Sequence, residues 1–149
     1  MPVHLTDVEV IQRLLLAAAV GGVIGAEREF RRKSAGFRTN ILIALGAALF
    51  TMLSQVMASQ TGGDSTRIAA QIVVGVGFLG AGAIIRTNRN VNGVTTAATV
   101  WVNAALGMSA GAGEYHMTLM AAGITVIVLL ILAPIEAAFD RWLYRQPPG

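Results

Sequence analysis

Few side chains in this sequence can do chemistry, and they come in small groups set between apolar runs. Asp64 and Arg67 are three residues apart, one helical turn, so they can pair on one face. Two readings fit them: an N-cap at Asp64 with an interfacial ion pair, or a cation or partner contact at a polar mouth. A single carboxylate is a poor Mg²⁺ site, yet Mg²⁺ keeps most of its waters and often takes only one or two carboxylates. Asp64 is therefore the one candidate metal ligand, with a dimer axis able to supply a second.

Arg13 is the one ionisable residue inside an apolar run before the last turns of the chain. A charge placed there is a functional hypothesis by default. The other reading is that it turns outward to pair with Glu9, one turn away, or with Asp64. Gln71 and Asn103, polar residues in apolar runs, are expected to make hydrogen bonds between helices. Residues 27–38, EREFRRKSAGFR, form the densest charge run. They read either as a solvated, topology-setting loop that attracts anionic lipid or as a docking surface. Gly75, Gly77 and Gly80 spell G-x-G-x-x-G. A dinucleotide site also needs a strand before the glycines and an acid about 20 residues on. Here the glycines lie in an apolar run, and Trp101 stands where the acid should be. There is no cysteine, and His4 and His116 match no metal-ligand spacing. No nucleophile–base pair is evident, so no enzyme and no cofactor are expected.

The elements that position these residues are read from hydropathy. The chain is 54% hydrophobic and 13% charged, against about 25% charged for soluble domains, so a membrane protein is expected. Residues 68–85 carry no charge, and as a helix would span roughly 27 Å, close to a bilayer's hydrocarbon core. With Gly75, Gly77, Gly80 and Gly82 in it, this run reads as a buried central transmembrane helix, its glycines letting backbones approach. The full reading is all-α, one domain over 1–149, with five transmembrane helices at about 10–26, 41–58, 67–86, 94–112 and 117–139. Gly21 and Gly25 in the first, and Gly107 and Gly111 in the fourth, are small-residue ladders that suit packing inside the bundle or across a dimer. The fourth run, rich in Thr95, Thr96, Thr99, Asn103 and Ser109, should be enclosed by others. The fifth, the greasiest, should face lipid, with Pro134 kinking its last turns.

Lysine and arginine counts orient the bundle. Arg28, Arg31, Arg32, Lys33, Arg38, Arg86, Arg89, Arg141 and Arg145 fall on one side, and Arg67 alone on the other. By the positive-inside rule the N-terminus is outside and the C-terminus cytoplasmic. The basic residues lie in loops between apolar runs, which excludes a nucleic-acid reading of the +3 net charge. Asp7 and Glu9 occupy what would be a positive n-region, so no signal peptide is read.

Five blocks in order carry a resemblance: GGVIGAERE (21–29), AGFRTNILIALGAALFTMLS (35–54), D-x-x-R-x-A-A-Q (64–71), GVGFLGAGAIIR (75–86) and NGVTTAATVWVNAALGMSAGAG (92–113). The chain resembles the membrane domain of the MgtC/SapB family over about residues 14–113. The resemblance implies a multi-pass protein of the bacterial inner membrane. It implies a role in magnesium homeostasis and growth in low magnesium, and in pathogens an association with virulence. The implied mode is non-enzymatic modulation of a membrane partner, such as the membrane sector of the F-type ATP synthase; the alternative is an oligomeric Mg²⁺ transporter or channel. The family's motif positions fall on Glu27, Arg28, Arg38, Thr39, Asn40, Asp64, Arg67, Gln71, Arg86, Thr95 and Thr96. Many members carry a soluble C-terminal domain after the fifth helix. This sequence ends at Gly149, so functions housed there are not expected of it. Membrane lipid and a second copy, most simply as a C2 dimer, complete the expected partners.

Overall fold

The structure is a computed structural model that describes residues 4–87 and 90–143; for 136–138 and 140–143 it describes the backbone alone. Five helices form: α1 (Asp7–Phe30), α2 (Phe37–Thr61), α3 (Thr66–Gly82), α4 (Val94–Ala112) and α5 (Tyr115–Leu143). A two-stranded antiparallel hairpin, β1 (Ile85–Arg86) and β2 (Val91–Asn92), joins α3 to α4. By length and composition α1, α2 and residues Tyr115–Ile135 of α5 can each cross a membrane, and α3 is a shorter apolar helix.

The helices begin where local chemistry starts them. The Thr6 hydroxyl accepts the Glu9 N–H at 3.3 Å, and the Glu9 carboxylate accepts the Thr6 N–H at 2.8 Å. This reciprocal capping starts α1 at Asp7, three residues earlier than hydropathy places it. At the other end α1 runs through the charge run to Phe30, and α2 starts at Phe37 instead of 41. Residues 27–38 are thus half helix, 27–30 and 37–38, around a turn over 31–36. Arg32 sits there at φ 53°, and the Lys33 N–H donates to the Arg28 carbonyl at 3.0 Å.

The third helix departs most from expectation. It ends at Gly82, where the Ala83 N–H turns back to the Gly80 carbonyl at 3.0 Å. Ile84 and Ile85 kept the sequence apolar to 85, but Ile85 is strand. An all-α reading therefore misses the hairpin. Gly93, which follows β2 and precedes α4, sits at φ +90°, a conformation L side chains rarely adopt; a Cβ there would also strike the Ala83 carbonyl. Nor is α3 central. It buries Ile72, Val76 and Gly80, whereas α4 buries nine residues. The middle of the molecule is the seam of α1, α2 and α4, made of Ala17, Ala44, Ala48 and Ala110 with no exposed surface.

Glycine makes that seam close. A Cβ at Gly107 would strike the Ala44 carbonyl oxygen and lie 2.8 Å from its Cα; one at Gly111 would do the same to Ala48. Cβ atoms at Gly21 and Gly25 would lie 2.7 Å from the Asn40 carbonyl oxygen and 2.8 Å from the Phe37 Cα. All four glycines are contacts within one chain. On α3 only Gly80 faces a neighbour, Ala97, while Gly75, Gly77 and Gly82 have nothing within 4 Å. Their expected role in packing this bundle is therefore corrected. As expected, α5 leaves most of its apolar side chains exposed, touching the bundle through Ala122 and Leu129.

Candidate functional site

Helix α3 leans mainly on α4 and meets α2 only in part, through the cluster of Ala47, Ile72 and Val76, and a groove of about 820 Å³ lies between α2 and α3. Leu42, Gly46 and Phe50 form its α2 wall, Gly75 and Leu79 its α3 wall, and Val100 of α4 lies at its floor. Ile68 and Gln71 also line a second recess of about 570 Å³, which holds Ser54, Asp64 and Arg67. Groove and recess therefore adjoin at these two residues. The result is an apolar slot with a charged mouth at the α3 start and, at the other end, Ser34, Thr39 and Ala83.

At the mouth, Asp64 precedes α3 and, among the described residues, accepts from Thr66 alone: its N–H at 2.8 Å and its hydroxyl at 2.7 Å on Oδ1 and 2.8 Å on Oδ2. These bonds hold the carboxyl below the ordinary aspartate range. The helix itself starts at Thr66, one residue before the expected 67, and Ser65, not Asp64, holds the N-cap position, without a side-chain cap bond. No Asp64–Arg67 ion pair forms; the ion pairs among described residues all use Glu27. The Ser54 hydroxyl donates to the Ser65 carbonyl at 2.7 Å and ties α2 to the start of α3. Gln71 is exposed in the groove, and no hydrogen bond among described residues engages it, which corrects the expected interhelical bond. Among the described residues there is no group of three or more His, Asp or Glu that could hold a metal ion. Asp64 thus stands as a single carboxylate, already bonded to Thr66.

Arg13 turns inward. Its Nη1 donates to the Gly111 carbonyl at 2.8 Å and to the Gln55 side chain at 3.1 Å. A guanidinium on the last carbonyls of a helix complements that helix's negative end. Glu9 is engaged by Thr6, so the outward pairing with Glu9 or Asp64 does not occur.

The motif residues at the basic end divide into two sets. One is buried. Asn103 Nδ2 donates to the Asn40 carbonyl at 2.6 Å and to its side-chain oxygen at 3.1 Å; Asn40 Nδ2 donates in turn to the carbonyls of Ala35 at 2.8 Å and Gly36 at 2.9 Å. This network pins the α1–α2 turn to α4. Thr96 is buried on α4 too. Glu27 and Arg28 are also buried, Arg28 at 3% exposure, with Arg28 Nε 3.5 Å from Glu27 and Arg31 paired to the same carboxylate. The solvated-loop reading of 27–38 thus fails for its first two residues. The second set is exposed: Arg38, Thr39, Arg86 and Thr95. Thr39 alone of these lines the groove. Arg89 and Arg145 lie outside the described residues, as does the side chain of Arg141.

Reading by sequence missed Gln55 and the pairing of Asn40 with Asn103. Gln55 carried a usable signal, since it is a polar residue in an otherwise apolar span. The groove carried none, because its walls are ordinary apolar residues and glycines.

The MgtC family profile matches residues 14–138. The chain is 47% identical over 127 residues to YhiD of Escherichia coli (strain K12), named as a candidate magnesium transporter; the match covers 81% of this chain and 59% of that one. It is 48% identical over 131 residues to protein MgtC of Salmonella typhimurium (strain LT2), covering 88% of this chain and 54% of that one. It is 47% identical over 132 residues to protein MgtC of Brucella abortus (strain 2308), covering 87% and 54%. The chain thus spans little more than half the length of the curated relatives it matches. No solved structure matches it.

Proposed function

The chain belongs to the MgtC family, and from that premise we propose that it is a five-span protein of the bacterial inner membrane that serves magnesium homeostasis by modulating a membrane partner. The N-terminus and the Asp64 mouth face outward, and the Arg28–Arg38 turn and the hairpin face the cytoplasm, as the distribution of cations requires. The protein acts without catalysis and without a resident cofactor. The partner the family resemblance suggests is the membrane sector of the F-type ATP synthase, and a second copy of the chain completes the assembly.

One observation carries modulation over transport. The α1–α2–α4 seam is sealed by glycine against backbone and by alanines with no exposed surface. Among the described residues every carboxylate side chain lies at a helix end or in a turn, whereas carriers set acids within their spans. A second reading, Mg²⁺ transport by an oligomer, draws on the Asp64–Arg67 recess and on the name of the Escherichia coli relative. Purified protein in liposomes with a Mg²⁺-sensitive dye separates the two. Modulation predicts flux no greater than that of empty vesicles. Flux above that level, lost in Asp64→Ala, overturns it.

A further inference from the structure

We propose that the α2–α3 groove seats one acyl chain of an anionic phospholipid, with the phosphate at the end lined by Ser34, Thr39 and Ala83. The groove is made by missing side chains: at Gly46, Gly75 and Gly82 an added Cβ would meet nothing within 4 Å. It follows α3 from Ile68 to Gly82, about 21 Å at 1.5 Å per residue. One leaflet of hydrocarbon is about 15 Å deep, so an extended chain entering from either surface fits along it. Its walls expose the apolar side chains of Leu42, Phe50 and Leu79, a surface suited to an acyl chain.

Charge selects the end. Lys33 adjoins Ser34, Arg38 adjoins Thr39, and Arg86 follows Ala83 by three residues; all three cations are exposed. The nearby carboxylates are engaged elsewhere. Glu27 pairs with Arg28 and Arg31, and Glu29 accepts the Phe37 N–H at 3.0 Å. Among the described residues no carboxylate lies within ion-pair distance of Lys33, Arg38 or Arg86. The other end offers Asp64 and Arg67, which sum to no charge. A phosphate is drawn to the first end and has no reason to prefer the second. Charge also disfavours a second copy as the occupant. Two copies share one orientation in a membrane, so pairing through this groove brings their Lys33, Arg38 and Arg86 clusters to the same level, where like charges repel.

The inference rests on the membrane placement and not on modulation or transport. It is tested on the full chain in mild detergent, by native mass spectrometry and thermal unfolding with phosphatidylglycerol or phosphatidylcholine of identical chains. The expected result is retention of phosphatidylglycerol with a raised melting temperature. Its preference over phosphatidylcholine should be roughly fivefold per engaged base and should shrink with salt. Gly75→Leu, whose Cβ meets nothing within 4 Å, puts a side chain into the slot and should abolish retention at unchanged helix content. Arg38→Gln with Arg86→Gln should leave retention of the two lipids equal. Equal retention by the unaltered chain, or retention untouched by Gly75→Leu, overturns the proposal. A lipid-free dimer that dissociates in Gly75→Leu overturns it in favour of a second copy. A chain that stays folded and monomeric in buffer without detergent fails the membrane reading instead.

Discussion

Helices α3 and α4 are joined by one hairpin, are both apolar and both carry glycine at helical spacing, yet they are packed in opposite ways. In α4, Thr96, Thr99, Asn103, Gly107 and Ala110 recur every three or four residues and are all buried. They meet a matching row on α2, Asn40, Ala44, Ala47, Ala48 and Thr51. In α3 the buried row is Ile72, Val76 and Gly80, and the glycines at 75, 77 and 82 lie off it. Glycine spacing therefore records that close approach is permitted. Whether approach occurs depends on a partner row of equally small residues. On α2 most of the row meets α1 and α4; α3 reaches it through Ile72 and Val76 in the cluster of Ala47 and Ile43, and the exposed Leu42 and Phe50 line the groove left beside that contact.

The sharpest break of this comparison is a matched pair of alanines. Gly107→Ala puts a Cβ against the Ala44 backbone, which cannot rotate away as a side chain would. Overpacking of this kind costs about 1–3 kcal/mol, and the thermal midpoint in detergent should drop accordingly. Gly75→Ala meets open space and should be neutral or stabilising by up to about 1 kcal/mol, from helix propensity and lost chain entropy. Equal effects from the two would mean that α3 is packed as tightly as α4.

Polar residues give the next contrast. Asn103→Ala removes two donated hydrogen bonds and leaves the buried Asn40 carbonyl and side-chain oxygen short of a donor. The cost should be about 1–3 kcal/mol. Gln71→Ala, with no hydrogen bond to lose among described residues, should stay within about 0.5 kcal/mol. Thermal unfolding of both variants checks the ratio.

These pairs also mark what the sequence could disclose. Five apolar runs at bundle-like spacing gave five helices, and the small polar residues of the fourth announced that it is enclosed. The order of centrality was not legible. Residues 68–85 form a charge-free run long enough to cross a membrane, but Ile84 and Ile85 extend hydropathy past the true helix end at Gly82, and hydropathy cannot separate a lipid-facing side chain from a buried one. Arg13 shows the same limit. Sequence neighbourhood offered Glu9, one turn away, while the actual acceptor, the Gly111 carbonyl, is 98 residues distant. Of the site, the Asp64 mouth was legible because charge and a Gly62-Gly63 break surround it. The groove it opens into was not, since a void is a property of three helices at once.

The smallest expected effect lies at the starts of the same two helices. Asp64 holds the first turn of α3 through the Thr66 N–H and hydroxyl, and these bonds lower its affinity for a proton in the folded chain. Its contribution is therefore complete above the ordinary aspartate value of about 4 and is lost as pH falls through the lower, folded value. At the start of α4 Gly93 offers no side-chain cap, and the first turn has no acid. Acidification should thus loosen the beginning of α3 and leave that of α4 unchanged, seen as faster amide exchange at Arg67 and Ile68 but not at Ala97 and Ala98. Because Asp64 is exposed, the change should be local, with the global midpoint hardly moved. Asp64→Asn should raise exchange in the first turn of α3 modestly and make it independent of pH in this range. If α3 and α4 loosen together in acid, they open as one unit, and the independence of α3 inferred from its sparse burial does not hold.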